Sequence, residues 1–268
     1  MQGASRDALA VAREQLAATR GDLDLGAAGE GLLSVVRLLD RETQLRRTLG
    51  DPTTDAQAKD ALLDSLLGSQ LDAGALRLVK AAVAQRWSGS RDLVDAIEVL
   101  GVTALLLKAD GEGSLDTVEA ELFRFERALA GSPELRTVLT DRGLDAERKT
   151  ALLDGLLDGK ADSTTRRVIA QAVLAPRGRT IEDALEQFSN LAADVRSRTL
   201  ATVTSAVPLD DAQRSRLAAT LTQQLGREVQ LQVEVDPKVV GGVLVKVGDE
   251  VIDGSTRHRL AQARRSLS

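Results

Sequence analysis

The first two thirds of the chain repeat at a spacing of 90 residues. Over positions 45–83, 17 of 39 residues are identical to the residue 90 positions further on, with no gap. Charged positions are among them, since Asp55 and Lys59 recur as Asp145 and Lys149. A bias toward Leu and Ala alone does not preserve such positions, so the pattern indicates a duplication. A chain built in this way is predicted to contain two similar units in tandem.

Each unit is predicted to be a bundle of short helices. Five apolar residues of the second copy step by three or four positions and form one stripe along a helix: Leu115, Val118, Leu122, Phe125 and Leu129. Gly131 is predicted to end that helix, with Ser132 as the N-cap and Pro133 as the first residue of the next helix. In the first copy, Thr54 and Gln57 are predicted to form a capping box.

Stripes of this kind are stable only when neighbouring helices bury them, which predicts compact bundles. We expect the first bundle over residues 1–104 and the second over residues 105–198, with the stretch 92–108 contributing to both. Residues 199–268 are expected to form a separate small module. The predicted fold class is therefore mainly α: a tandem duplicated helical bundle followed by a small α+β C-terminal module.

The pattern of the C-terminal module is that of a small sheet. Residues 198–207 change from helical spacing to a β-rich run. Apolar and polar residues alternate from Val229 to Val235, and Asp236–Pro237 is predicted to end that strand. Further strands are expected over residues 243–247 and around residues 251–252.

Two helices are expected in the same module. The first follows Asp210, a predicted N-cap with Gln213 three residues on, and ends at Gly226. Leu217, Leu221 and Leu225 are predicted to form its buried edge. The second is expected over residues 256–267.

Composition argues against several classes of function. The chain has no Cys, which excludes disulfides and thiolate metal sites. Its net charge is −5 with both signs spread along the chain, which does not fit a nucleic-acid-binding surface. The longest apolar run, Val99 to Leu107, is far shorter than the roughly 20 residues that span a membrane. The N-terminus does not resemble a signal peptide, so we expect a soluble cytoplasmic protein.

One segment resembles a phosphate-binding loop only superficially. Gly155 and Gly159 are separated by three residues instead of four, and Lys160 follows them. Ala161 stands where Ser or Thr would hold magnesium. The end of a helix is the favoured interpretation.

Other candidate residues also favour ordinary structural roles. Asp249, Glu250 and Asp253 carry carboxylates, but successive strand residues face opposite sides, so a polar hairpin turn is favoured over a metal site. His258 is the only histidine and is expected on the surface. Trp87 is interpreted equally well as an interface anchor or as a local packing residue.

The most specific signal lies near the C-terminus. Nine residues carry it: Gly241, Gly242, Gly248, Asp249, Asp253, Gly254, Ser255, Arg259 and Leu260. In order and spacing this run resembles the C-terminal region of the delta subunit of F-type ATP synthases, called the oligomycin-sensitivity-conferring protein in mitochondria. The turn Pro176–Arg179, with Leu185 and Phe188 after it, is similar to a second feature of that family. The chain resembles the longer bacterial form with a duplicated helical region.

This resemblance implies a structural subunit with no catalytic residue, cofactor or metal. In the family, a helical bundle grips N-terminal segments of the alpha subunits, and the C-terminal region contacts the b subunits of the peripheral stalk. The resemblance therefore implies a stator that couples proton-driven rotation to ATP synthesis. It implies a peripheral location on the cytoplasmic face of the cell membrane, reached only through a separate b chain, and no nucleic-acid partner. The nine motif residues are expected to include partner contacts.

A stator must resist torque, which favours packed bundles and broad interfaces over a catalytic cleft. The expected recognition mode is an amphipathic partner helix lying in a groove between bundle helices. Two other functions are compatible with the residues alone: a general helical adaptor, and an enzyme with a nucleotide site near Gly155.

Overall fold

The computed structural model describes residues 3–141, 143–225, 229–236, 242–247 and 250–253. The chain divides into two compact units, residues 1–192 and residues 193–268. The first unit is entirely helical over its described residues, and the second contains the sheet. The protein is therefore mainly α with a small α+β module, as the sequence predicts.

Twelve α-helices lie within the described part of the chain. In order, they are α1 (Ala4–Thr19), α2 (Leu25–Arg41), α3 (Thr43–Gly50), α4 (Ala56–Leu67), α5 (Ala73–Val83), α6 (Ser90–Gly111), α7 (Leu115–Gly131), α8 (Pro133–Thr140), α9 (Ala146–Leu157), α10 (Ser163–Leu174), α11 (Ile181–Thr199) and α12 (Asp211–Leu225). A short 3-10 turn, Arg20–Asp22, links α1 and α2. No helix of the described residues is both long and apolar enough to cross a membrane.

The helix boundaries repeat with the sequence. Helices α7, α8 and α9 begin and end 90 residues after α2, α3 and α4, and α10 begins 90 residues after α5. We call α2–α5 the first copy and α7–α10 the second copy. The predicted stripe of α7 supplies all the buried residues of that helix, which confirms the helical spacing read from the sequence.

Aspartates cap the equivalent helices α4 and α9, whereas the Ser132 cap of α8 has no counterpart on α3. The Ser132 hydroxyl caps α8 as predicted, accepting a hydrogen bond from the Leu135 amide at 3.3 Å. The predicted capping box of Thr54 and Gln57 is wrong, because Asp55 is the N-cap of α4 and accepts from the Ala58 amide at 3.0 Å. Asp145, which is 90 residues further on, caps α9 in the same way. The N-cap of α4 is therefore the carboxylate of Asp55 and not the hydroxyl of Thr54.

Helix α6 lies between the two copies and contacts both. It packs against α1 and against α2, α3 and α5 of the first copy, and against α7 and α10 of the second copy. Residues 93–109 are almost continuously buried around the whole helix. A Cβ on Gly101 would approach a Leu33 methyl carbon to 2.9 Å, so glycine allows α2 and α6 to pack closely. The predicted boundary at residues 104 and 105 falls inside this helix, and the division into 1–104 and 105–198 stays a prediction.

The second unit contains a four-stranded sheet with the strand order β2-β1-β3-β4. Its strands are β1 (Leu200–Ser205), β2 (Gln230–Val235), β3 (Val243–Val247) and β4 (Glu250–Asp253). Strands β1 and β2 are parallel, and α12 is the helix that connects them. The pairs β1–β3 and β3–β4 are antiparallel. The parallel pair needs a crossover helix because no tight turn returns a chain to the same direction.

The strand predictions agree with the structure where residues are described. β3 has the predicted bounds, and β2 ends at Val235, directly before Asp236–Pro237. Val229 is buried, but Val235 at the end of β2 is half exposed, so the alternation does not extend to the last residue. The core joins one face of the sheet to Leu221 of α12. Gly226 and residues 256–267, the predicted final helix, lie outside the described residues.

The start of α12 forms the predicted capping box. The Asp210 carboxylate accepts from the Gln213 amide at 2.7 Å, and the Gln213 side chain accepts from the Asp210 amide at 3.0 Å. Two backbone N–H groups are satisfied at once, which fixes where the helix begins.

The corrected caps predict the stability of single variants. Asp55→Ala and Asp145→Ala should each lower the free energy of unfolding by about 0.5–2 kcal/mol, because each leaves a helix N-terminal amide without its acceptor. Thr54→Ala should change it by less than about 0.5 kcal/mol. Urea unfolding followed by circular dichroism measures all three. A larger effect at Thr54 than at Asp55 would contradict the assignment.

Candidate partner-binding site

The structure describes only part of the predicted C-terminal motif. Gly242 has a φ of 78°, a left-handed conformation that favours glycine, directly before β3. Asp253 lies in β4, paired with Leu244 of β3. The other seven motif residues lie outside the described residues: Gly241, Gly248, Asp249, Gly254, Ser255, Arg259 and Leu260. Their predicted roles in partner contact stay predictions.

The hairpin interpretation of the acidic segment is correct only in part, because Glu250 and Asp253 lie in β4 and not in the turn. Val247 of β3 pairs with Glu250 of β4, so residues 248 and 249 connect two antiparallel strands. Within the part of the chain that the structure describes, no group of three or more His, Cys, Asp or Glu side chains is placed to hold a metal.

The segment that resembles a phosphate loop is the end of a helix. Helix α9 ends at Leu157, whose carbonyl accepts hydrogen bonds from the Lys160 and Ala161 amides at 3.0 and 3.1 Å. Gly159 takes a φ of 65°, the left-handed conformation of many helix C-termini. The C-terminus of a helix carries the negative end of its dipole, so this segment is unsuited to phosphate. The geometry argues against the nucleotide site considered near Gly155.

Trp87 is a local packing residue. Its side chain is 5% exposed, and its indole N–H donates to the Ala82 carbonyl at 2.8 Å. An indole buried in its own unit has little surface left for a partner. His258 lies outside the described residues.

The turn between α10 and α11 has an unusual backbone. Arg177 has a φ of 50° and Gly178 a φ of 83°, so two successive residues are left-handed. Such a conformation is strained for arginine, which has a Cβ, and it persists only when contacts hold it. These contacts come from the side chains of Arg177 and Arg179.

Both arginines meet a buried carboxylate on α6. Glu98 is 0% exposed, and its carboxylate accepts from Arg177, from Arg179 at 2.8 Å and from the Gln171 amide group at 2.9 Å. Asp95 lies one helical turn before Glu98 and pairs with Arg177 at 3.1 Å. A buried charge is tolerated when paired and hydrogen-bonded in this way. We call these five side chains the Glu98 cluster.

Arg179 also fixes the start of α11. Its guanidinium lies 5.9 Å from the ring centre of Phe188, which is fully buried, and donates to Gln187. The resemblance singled out Arg179 and Phe188 as a family feature, and the structure brings them together. Sequence reasoning missed Glu98 as a partner, because nothing in the sequence marks this glutamate on an apolar helix as the acceptor.

The Glu98 cluster perturbs a carboxyl on α2. Burial raises the pKa of Asp40 above its usual value, while the nearby Arg177 lowers it and the charge of Glu98 raises it. The net direction is upward, so desolvation and like charge outweigh the attraction of the arginine. A contrasting case is Asp183, where hydrogen bonds from the Thr180 hydroxyl and amide lower the carboxyl pKa.

The second copy contains a groove with an apolar wall. It lies between α7, α8, α9 and α10 and has a volume of about 220 Å³. Its apolar wall consists of Phe125, Ala128, Leu135, Leu156, Leu157 and Ala161. Glu121, Arg124, Lys160 and Thr165 complete the lining. We call this the second-copy groove; it is the kind of surface into which a partner helix packs.

Comparisons with known proteins agree on one family. Residues 102–267 match the family model described as the ATP synthase delta (OSCP) subunit. ATP synthase subunit delta of Streptomyces coelicolor is 49% identical over 270 residues, covering 100% of this chain and 98% of that protein. The protein of the same name from Thermobifida fusca is 43% identical over 268 residues and is covered in full.

A comparison of structures gives a weaker likeness. A chain from the cryo-EM structure of the Toxoplasma gondii mitochondrial ATP synthase hexamer matches with a TM-score of 0.32 and 20% identity. The match covers 62% of this chain and 94% of that chain.

The fold defines a mainly α protein with tandem helical copies and a small α+β module. The family match spans more than half of the chain, and the Streptomyces relative aligns along all of it. Together they narrow this class of protein to one family. The chain belongs to the ATP synthase delta (OSCP) subunit family. The family match starts inside α6, so it includes the second copy and the module, whereas the full-length relatives also cover the first copy.

The Glu98 cluster predicts a large stability effect. Glu98→Ala should lower the free energy of unfolding by about 3–5 kcal/mol, because it removes the carboxylate that pairs with Arg179 and leaves the buried Arg177 paired only with the partly exposed Asp95. Glu182→Ala is the control: its pair with Arg136 spans 3.0 Å but is nearly half exposed, and should be worth about 0–1 kcal/mol. Chemical unfolding of the full chain gives both values. Equal effects at the two sites would contradict the structural role of the cluster.

The two perturbed carboxyls predict opposite pH dependences. The raised pKa of Asp40 means that its stabilising contribution is complete below the unfolded pKa, about 3.9, and is lost as pH rises through the folded value. Asp40→Asn should therefore match the parent near pH 3.5 and be more stable at pH 7. Asp183 has a lowered pKa, so Asp183→Ala should be less stable at pH 7, with the deficit shrinking as pH falls through the folded pKa. Thermal unfolding between pH 2 and pH 7 tests both, and slopes of the same sign would contradict the assignments.

Proposed function

We propose that the chain is a non-catalytic stator subunit of the peripheral stalk of an F-type ATP synthase. It links the alpha/beta catalytic head to the b subunits, so that proton-driven rotation is coupled to ATP synthesis. The observation that carries the proposal is family membership, supported by full-length identity of 43–49% to two ATP synthase delta subunits. Its location is then peripheral, on the cytoplasmic face of the cell membrane, with contact to the membrane only through b.

The described structure fits the mechanical demand of this role. A stator transmits torque, so a change in the angle between its helices would dissipate work. Helix α6 is buried on all sides, and the Glu98 cluster fixes the turn before α11 to that helix. Packed cores have low compressibility and resist such deformation.

The two ends of the chain have separate tasks in this proposal. The helical unit binds N-terminal segments of the alpha subunits, and the C-terminal module, including the nine motif residues, contacts b. The family match covers the second copy together with the module, which favours the second copy as the part that contacts the head. The predicted copies, residues 1–104 and 105–198, and the module, residues 199–268, are the units to be tested.

Removal of the module tests the proposal. In a synthase assembled with a chain that ends at residue 198, ATP hydrolysis by the head should continue while ATP-driven proton pumping falls to background. The physical reason is that the head turns with the rotor once its link to b is lost. The control is the same complex assembled with the full chain, and circular dichroism of the truncated chain verifies that its helices remain folded.

Normal proton pumping by the truncated assembly would overturn the coupling role. Failure of the full chain to associate with an alpha/beta head would overturn the proposal as a whole.

A further inference from the structure

A buried lysine of the first copy lacks a counter-ion. Lys59 lies near the start of α4 and is only 7% exposed. Among the residues that the structure describes, its ammonium has no hydrogen-bond acceptor and no carboxylate at ion-pair distance. A charge buried in this way costs free energy unless an anion or water meets it. Lys59 is therefore a cation that an anionic ligand could neutralise.

The carboxylate of Asp51 lies near enough to interact with Lys59 but has other partners. It accepts from the Thr53 amide at 2.8 Å and from the Thr53 hydroxyl at 2.7 Å. These hydrogen bonds, and to a smaller extent the charge of Lys59, lower the pKa of Asp51. Because Asp51 is exposed, water weakens its attraction for the lysine. It does not replace a direct ion pair.

Lys59 lines a cavity between the start of α4 and the end of α5. The cavity has a volume of about 620 Å³, within the range of roughly 300–1,000 Å³ that is typical of small-molecule sites. Pro52, Ala81, Val83 and Ala84 give it an apolar wall. The space is much larger than a single ion, so it suits a ligand that also has an organic part.

Two further cations line the same cavity. Lys80 pairs with Asp64 at 2.7 Å, but both side chains are partly exposed, and such a pair is only weakly stabilising. Arg86 is exposed, and it precedes Trp87, whose buried indole N–H donates to a backbone carbonyl at 2.8 Å and holds this segment in place. Asp60 is the one carboxylate among the lining residues described. Three positive charges thus face one negative charge, which favours an anion.

The start of α4 adds backbone donors to the cavity. Ala56, the first residue of this helix, is among the lining residues. The first amides of a helix have no intrahelical acceptor and carry the positive end of its dipole, an arrangement that binds phosphate. The end of α5 brings the opposite dipole end, but the Ala82 carbonyl there already accepts from the Gln85 amide at 3.2 Å and from the Trp87 indole.

The second copy keeps the lysine without the other cations. Lys149 stands 90 residues after Lys59 and is half-buried. Two uncharged residues, Ala170 and Pro176, occupy the positions that correspond to the two other cations of the first copy. The chain therefore contains a matched control for the lysine alone.

We propose that the cavity between α4 and α5 binds a small organic phosphate monoester. The phosphate dianion meets the buried ammonium of Lys59 and the guanidinium of Arg86, since ionised partners make the strongest hydrogen bonds. The organic part packs against the apolar wall. This ligand site goes beyond the proposed stator function and does not depend on it, because the full chain alone contains every residue that the site needs.

Isothermal titration of the full chain at constant ionic strength tests the proposal. The probes are AMP and phenyl phosphate, with adenosine and phenol as the matched compounds that lack phosphate, and with inorganic phosphate as the compound that lacks an organic part. At least one monoester should bind at least about tenfold more tightly than its phosphate-free counterpart and than inorganic phosphate. The reason is that both the cations and the apolar wall contribute.

Single variants locate the binding. Lys59→Met keeps the length of the side chain and should weaken binding of the monoester about tenfold or more, whereas Lys149→Met should stay within about twofold. Arg86→Gln should also weaken binding. Asp60→Asn should strengthen it, because the variant removes the negative charge that faces the ligand.

Thermal unfolding without ligand gives an independent readout. Lys59→Met should raise the midpoint, because it removes a buried charge that has no partner, and the ligand should then add no further stabilisation. A lower midpoint with unchanged ligand binding would mean that Lys59 only packs in the bundle and would refute the site. Binding of neither monoester, equal binding of AMP and adenosine, or equal losses in Lys59→Met and Lys149→Met would also overturn the proposal. None of these results bears on association with an alpha/beta head, so failure of this site is distinguishable from failure of the proposed function.

Discussion

The contact between Glu98 and two arginines attaches the turn between α10 and α11 to helix α6. Helix α6 presents a fully buried carboxylate, which would be costly without counter-charges, and the turn after α10 supplies them. That turn is strained, with Arg177 in a left-handed conformation, and its ion pair with Glu98 helps to hold it. The arrangement fixes the start of α11 against α6.

Because a buried helix lies between the two copies, the duplicated region is one unit and not two. Two bundles joined by an exposed linker would move independently, whereas α6 contributes its sides to helices of both copies. Moving one copy relative to the other would expose apolar residues of α6 to water, at about 25 cal/mol for each Å² exposed. The tandem region therefore behaves as one compact unit, residues 1–192. That property suits a proposed stator, in which slack between copies would lose torque.

Much of the fold could be predicted from the sequence because it depends on local periodicity. The stripe of α7, the Ser132 cap, the capping box at Asp210 and the strand over residues 243–247 all follow from spacing and turn chemistry. The cap of α4 could not be separated from its neighbours by the same rules, since Thr54 and Asp55 are both good caps.

The partners of charged side chains on different helices were harder to predict from the sequence, because such pairs follow no periodic spacing. At a spacing of 88 residues Glu98 of α6 aligns with Glu186 of α11, yet the first is fully buried and the second exposed. The alignment alone cannot tell which of the two meets the arginines. Burial, and not residue type, makes Glu98 the centre of the cluster.

Divergence between the copies is informative because α7, α8 and α9 have the bounds of α2, α3 and α4 at the 90-residue spacing. Differences in side chains then change the packing within the same order of helices. In the first copy Gly31 lets α2 approach Ala75 of α5 and Leu71 closely. The second copy has Glu121 at the position of Gly31, and its Leu157 is half-buried whereas the counterpart Leu67 is 4% exposed. A loss of this kind lowers stability unless another surface covers it.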